Sequence, residues 1–229
     1  MVDKHIADLI EDTTPVETSD LIIQQPSGGL TRKAKLINLL KNVFTHKDVY
    51  SDYVVNGLDL DHPGGSAAPS LLILRDGFYQ HAFNGTSQIN EGHFTIHTLH
   101  DLKPNTDMTV HIHWSHNNAA PSGNVKWNVA YSLAKGNFGT FGAATNLSVT
   151  QAAGAQYYHH ITNDDSMVIN GTSGQIEPDT IIILKIWRDP SDVADTFADY
   201  AFLLNIDIHY IKSRVGTTER NRPYTSGGF

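Results

Sequence analysis

The stretch Met108-Thr-Val-His-Ile-His-Trp-Ser-His116 concentrates more potential chemistry than any other part of the chain. Strand geometry sends successive side chains to opposite faces, so Met108, Val110, Ile112 and Trp114 share one face while Thr109, His111, His113 and Ser115 share the other. Histidine is the commonest metal ligand, and two imidazoles at i and i+2 on one strand face can converge on a single ion. His111 and His113 are the natural pair, and His159, His160 or His209 would have to supply a third ligand. The chain has 13 histidines, and His93, His97, His100, His111, His113 and His116 lie within one 24-residue window.

A cupin-like metal site normally places a Glu shortly after its His-x-His pair, and here Ser115, His116 and Asn117 stand in that position. The pair is therefore expected on an outer or intersubunit surface, hydrogen-bonded to neighbouring strands. A second candidate is the loop carrying Asp189, Asp192, Asp195 and Asp199. Calcium favours oxygen-rich loops, but this spacing is not the EF-hand pattern and no Glu closes it, so a solvated connection built on Asx turns is expected. Trp187 is either a core residue, the favoured position, or an exposed platform for sugar stacking.

Other catalytic patterns are missing: there is no Gly-x-Ser-x-Gly elbow, no Walker sequence and no Gly-x-Gly-x-x-Gly run. Without cysteine the chain has no thiol nucleophile, thiolate metal site or disulfide. No catalytic, cofactor-binding or metal residue is assigned, and the chain is expected not to be an enzyme. The balance of 16 Lys and Arg against 24 Asp and Glu argues against nucleic acid, which needs clustered positive charge. No apolar run approaches the roughly 20 residues of a membrane span, and the first residues lack the pattern of a signal peptide.

The elements that must position these residues are mostly short strands. Residues 1 to 48 read as an acidic arm, a short extended piece at Leu21-Ile22-Ile23, and an amphipathic helix over Thr31 to His46, where Leu30, Ala34, Ile37, Leu40 and Phe44 recur at helical spacing. From residue 49 to 213 strands alternate with Gly, Pro, Asn and Asp: Tyr53 to Val55, Ser70 to Arg75, Phe78 to Phe83, Gly92 to His100, Met108 to Ser115, Val125 to Leu133, Thr145 to Val149, Tyr157 to Ile161, Ser166 to Asn170, Thr180 to Arg188 and Asp199 to Ser213. So many short strands in one domain predict a mainly β chain, a jelly-roll-like antiparallel β-sandwich with one N-terminal amphipathic helix and extended termini. Inner faces are expected from Met108 to Trp114, from Val125, Trp127, Val129 and Tyr131, and from Tyr200, Phe202, Leu204, Ile206, Ile208 and Tyr210. Met108 to Leu133 is expected to form a hairpin, and Ile181 to Leu184, apolar on both faces, to lie centrally or under the helix.

His111-Ile-His-Trp114, Gly123-Asn-Val-Lys-Trp127, Ile183-Leu-Lys-Ile-Trp-Arg188, Phe202 to His209 and Arg220-Asn-Arg-Pro-Tyr224 together resemble β-rich virion proteins of tailed bacteriophages. The resemblance implies a structural part of the particle: a capsid cement or decoration protein, or a head-to-tail or tail accessory protein. It implies a homo-oligomer in contact with major capsid, portal or tail proteins, assembled in the host cytoplasm and resident in the virion. A carbohydrate- or host-surface-binding jelly roll is the alternative, and a cupin-like metalloenzyme the third.

Residues 214 to 229 form an extended C-terminal tail in this scheme. Lys212, Arg214, Arg220 and Arg222 against Glu219 make the end of the chain basic, while Asp3, Asp8, Glu11, Asp12, Glu17 and Asp20 against Lys4 make the start acidic. Such opposite termini invite exchange between subunits. Removing residues 214 to 229 is expected to abolish self-association in sedimentation experiments while leaving the β-sheet circular dichroism signal; a truncated chain that assembles like the full one would contradict this.

Overall fold

Chain segments bounded by Gly, Asn, Asp and Pro are too short for helices, and burying their alternate apolar side chains requires pairing into sheets. A computed structural model of the protein describes residues 20–23, 32–35, 48–137, 139–162, 166–171 and 175–212. It divides into two compact units, residues 1–48 with 227–229, and residues 49–226.

In the first unit β1 (Asp20–Ile23) and β2 (Arg32–Lys35) form an antiparallel pair, with Leu21 opposite Ala34 and Ile22 opposite Lys33. The helix expected from Thr31 to His46 is therefore wrong at Arg32–Lys35; residues 36–46 lie outside the described residues. Helix nucleation is costly, whereas a strand at Arg32–Lys35 at once satisfies the backbone of the apolar Leu21-Ile22-Ile23 piece.

The second unit contains β3 (Val49–Asn56), β4 (Ser70–Arg75), β5 (Phe78–Phe83), β6 (Asn90–His97), β7 (Met108–Ser115), β8 (Asn124–Ala134), β9 (Thr145–Ala152), β10 (His160–Ile161), β11 (Val168–Ile169), β12 (Ile181–Arg188) and β13 (Ala201–Lys212). Two antiparallel sheets result. The larger is centred on β13 and β7: β5 and β3 share the far edge of β13, β4 continues beyond β5, and β10 and β11 share the far edge of β7. The smaller runs β6-β12-β8-β9. Counting β3 to β5 as one position and β10 with β11 as another gives eight strand positions whose order matches the two interlocked Greek keys of a jelly roll. No described helix is long and apolar enough to cross a membrane.

This connectivity corrects the expected hairpin. β7 and β8 lie in opposite sheets, and Asn117 to Asn124 crosses between them. Their faces are as expected: Met108, Val110, Ile112 and Trp114 are fully buried from one sheet, and Val125, Trp127 and Val129 from the other. Trp114 and Trp127 meet across the sandwich with ring centroids 6.4 Å apart, and Phe83 meets Trp127 edge-on at 5.1 Å. Two strands with strong apolar alternation look alike whether they pair or face each other.

The last strand is only half as expected. Ile206, Ile208 and Tyr210 do face the core, but the register shifts between Leu203 and Asn205, and before that point Ala201 and Leu203 join the core cluster. A bulge at Leu204 inserts one residue and flips the phase. β12 occupies the centre of the smaller sheet, as expected, with Ile182 and Ile186 fully buried and Ile183 42% exposed. Ile182→Ala is expected to cost about 2–5 kcal/mol in urea unfolding, the usual range for emptying a buried site, and Ile183→Ala less than about 1 kcal/mol. Equal losses would contradict the assignment of faces.

Candidate functional site

The outward residues of β7 and β13 stand side by side on the larger sheet. Register places Asp207 opposite His111, Asn205 opposite His113, and Asp52 of β3 opposite His209. His111 is nearly buried, its ring centroid 4.1 Å from that of His209, and His209 Nε2 lies 3.2 Å from Asp52 Oδ1. His113 is bound at both ends: Nε2 lies 2.8 Å from Asp207 Oδ2, and Nδ1 lies 2.8 Å from His159 Nε2. Burial pushes His113 below the usual histidine pKa, with His159 and His209 acting in the same direction and the Asp207 carboxylate opposing them.

The His-x-His pair thus sits on an outer face and binds neighbouring strands. His159 and His209, two of the three candidate third ligands, do reach the same face, but as hydrogen-bond and ion-pair partners. His113 directs its two nitrogens to different residues, which is a relay arrangement and not a chelate. Among the described residues no three His, Cys, Asp or Glu side chains are placed to hold one ion. His160, the third candidate, pairs with Trp114 and stacks on its indole at 4.3 Å. Burial lowers its pKa too, reinforced by His116 and His159. His116 is fully buried, and its Nε2 donates to the Gly154 carbonyl at 3.0 Å.

The other clustered histidines belong elsewhere. His97 and His100 place their Nε2 atoms 3.0 and 3.1 Å from the same Asp179 oxygen, joining the end of β6 to the start of β12. His93 lies 3.6 Å from Glu91. Close by, a cavity of about 440 Å³ is lined by the polar Asp59, Asp61, His93 and Thr95 and by apolar residues including Val55 and Phe94. Trp187, for which a core position is favoured by sequence, instead points outward from β12, half-buried, with Lys185 Nζ 4.8 Å above its ring. Its parity is opposite to that of Ile182, Leu184 and Ile186.

The aspartate loop is more than a solvated connection. Its Asx turns exist: Asp189 Oδ1 accepts from the Ser191 N–H at 2.9 Å, and Asp192 Oδ1 from the Ala194 N–H at 2.9 Å. Lys126 Nζ donates to Asp192 at 2.5 Å and holds that carboxyl below the usual range. Asp195, however, is buried against Arg188, a fully buried guanidinium. Arg188 Nε and Nη2 donate to the two Asp195 oxygens at 2.8 Å each, Nη1 donates to the carbonyls of Phe83 and Asp199 at 3.1 and 2.5 Å, and Nη2 also donates to the Phe197 carbonyl. The backbone of Thr196 and Phe197 reaches back to the Asn124 carbonyl at 2.8 and 2.9 Å. Gly85 and Gly123 make room for this docking: a Cβ there would lie 2.3 Å from the Asp199 oxygen and 2.5 Å from the Thr196 oxygen.

Arg188 is a structural residue that sequence analysis did not single out, although a signal was available. It continues the inward parity Ile182, Leu184, Ile186, and a charge ending such a stripe must find a buried counter-charge nearby.

No family model matches the chain, and no curated protein matches it. Among solved structures, one of infectious bursal disease virus Gx strain aligns over 86% of this chain and 38% of its own, with 10% identity and a TM-score of 0.38. The VP2 subviral particle of the same virus aligns over 85% and 37%, with 10% identity and a TM-score of 0.34. A carbohydrate-binding module, TmCBM61 in complex with beta-1,4-galactotriose, aligns over 72% and 88%, with 15% identity and a TM-score of 0.31. The chain thus spans less than two-fifths of the viral chains.

Removing one partner of the Arg188–Asp195 pair leaves a buried charge without compensation. Asp195→Asn and Arg188→Met are each expected to cost about 3–5 kcal/mol in chemical unfolding, and the double variant much less than their sum. Additive losses in that double-mutant cycle would contradict a coupled pair.

Proposed function

We propose that this chain is a non-enzymatic structural component of a virion, of the kind found in tailed bacteriophages, which self-associates through its β-sandwich as a cement, decoration or head-tail accessory protein. The observation that carries this reading is the β4–β5 hairpin. β5 pairs with β13 only through His81, Ala82 and Phe83, so Phe78 to Gln80 and the strand opposite them project beyond the sheet. Register makes Leu71 neighbour to His81, which in turn neighbours the core residue Leu203, and Ile73 neighbour to Tyr79. The core-side face of the sheet therefore continues onto the hairpin, past the end of the layer that covers it elsewhere.

The result is apolar surface in a place that normally demands cover. On this face Leu71, Ile73 and Tyr79 are 55%, 46% and 51% exposed, while Phe78, 73% exposed, lies on the opposite face of β5. Apolar surface of this kind on a soluble protein marks an interaction site, and beside it β4 is an edge strand among the described residues, with the Ile73 carbonyl accepting from Asn117 Nδ2 at 3.2 Å. A particle subunit uses such a face to pack against its neighbours. The resemblance of the second half of the chain to phage virion proteins gives the same reading from the sequence. The carbohydrate-binding alternative rests on the cavity lined by Asp59, Asp61 and His93.

Ile73→Asp with Tyr79→Asp is expected to convert an oligomer into a monomer in sedimentation velocity at tens of micromolar, with the unfolding midpoint of the sandwich little changed because both sites are exposed. A wild-type chain with the same sedimentation coefficient as the variant would overturn the assembly reading and favour the binding module.

A further inference from the structure

The connection that leaves β9 for the larger sheet, residues 153–161, is pinned to the C-terminal end of β7 by four histidines. The Tyr157 N–H donates to the His116 carbonyl at 2.9 Å, and His116 Nε2 donates to the Gly154 carbonyl at 3.0 Å. His159 holds His113 at 2.8 Å, and His160 lies flat on Trp114 at 4.3 Å. The ladder beneath is only two residues long, His160 opposite Trp114 and Ile161 opposite His113. Tyr157 holds a φ of 63°, a left-handed conformation that a tyrosine keeps only where its surroundings impose it.

The protonation states follow from the partners. Asp207 Oδ2 lies 2.8 Å from His113 Nε2 as a charge contact, and His113 Nδ1 and His159 Nε2, 2.8 Å apart, share one hydrogen between them. An imidazole-to-imidazole hydrogen bond needs one lone pair. A proton on His160 is unwelcome: its Nε2 is buried with no hydrogen-bond partner among the described residues, and its ring stacks at 6.0 Å on that of His116.

The charged and titratable groups facing the cluster come from every element around it. β7 gives His111, and β13 gives Asp207 and His209, the latter paired with Asp52 of β3. Tyr158 lies 6.4 Å from His160, and Arg75, at the end of β4 and paired with Asp76, lies 4.7 Å above the Tyr157 ring. Of the four histidines Asp207 touches His113 alone, so His160, stacked between Trp114 and His116, has no carboxylate among the described residues against it to favour a proton.

We propose that residues 153–161 form an acid-released strap, closed at neutral pH and detached from β7 when His113 and His160, each buried against its partner, take up protons. Burial holds His113 and His160 below their usual pKa, so the detached state binds more protons than the closed one as pH falls from the ordinary histidine range. Closure is then fully favoured above that range and weakens through it. Detachment leaves the His113–Trp114 edge of β7 without its strand, open to pairing with a strand of another chain. The strap does not depend on the virion reading and stands or falls separately from it.

Amide hydrogen exchange of the full chain at pH 7.5 and 5.0, corrected for intrinsic exchange rates, tests the strap. Protection of peptides covering residues 153–162 is expected to fall about tenfold for each unit by which a histidine pKa is depressed in the closed state, while peptides of β12 and β13 keep theirs. In His159→Gln with His160→Phe, which preserves an amide donor and a stacked ring without a titrating group, the acid loss should be much smaller. Unchanged wild-type protection at pH 5.0, loss spread evenly over the sandwich, or an equal acid loss in the variant would each overturn the proposal.

Discussion

One buried guanidinium ties the ends of this sandwich together. Arg188 closes the inward stripe of β12, yet its five donors are answered by Asp195 and three main-chain carbonyls, those of Phe83, Phe197 and Asp199. Those carbonyls belong to the end of β5 and to the loop entering β13, both parts of the larger sheet, whereas β12 belongs to the smaller. The group therefore links the two layers where the chain crosses between them. An Arg suits this position because its planar fork can satisfy a carboxylate bidentately and still reach carbonyls on the same side. Desolvation makes such a pair a modest net contributor to stability but a strict one in geometry. The loop must return to this place or leave a bare charge in the core, and β13, the strand on which β3, β5 and β7 all pair, starts from that fixed point.

The double Greek key explains both what the sequence made legible and what it hid. Each of the eleven strands expected between residues 49 and 213 is present, because turn residues and two-residue alternation are local signals. The inward sets of β7 and β8 were readable for the same reason. Their partners were not, since in a jelly roll consecutive strands mostly enter opposite sheets, and β7 finds β13 almost a hundred residues later. The phase of β13 was misread at its start because a bulge at Leu204 leaves no distinct mark in a strand whose residues are apolar on both sides of it. The helix expected at Thr31 failed at Arg32–Lys35, where pairing with β1 overrides local periodicity.

The candidate sites show the same division. The His-x-His spacing correctly placed His111 and His113 together on the outer face of β7. The partners Asp207, His209 and Asp52 lie on two other strands and no spacing rule joins them. Residues sharing a sequence window were separated: His97 and His100 went to Asp179, while His113 and His116 went to the segment after β9. Histidines here serve as fasteners between chain crossings, a use suited to side chains that donate and accept at once.

Seen as a subunit, the molecule combines a tightly fastened core with an unfinished rim. Tryptophans from both sheets interlock in the centre, while the β4–β5 hairpin extends core-type surface beyond the layer that would cover it. Under the proposed function, a chain built this way completes its burial by association. The most direct test is the native mass of the unmodified protein at micromolar to tens of micromolar concentration, measured by native mass spectrometry and analytical ultracentrifugation. The account predicts a symmetric multiple of the 25.2 kDa chain, and a monomer throughout that range would contradict it.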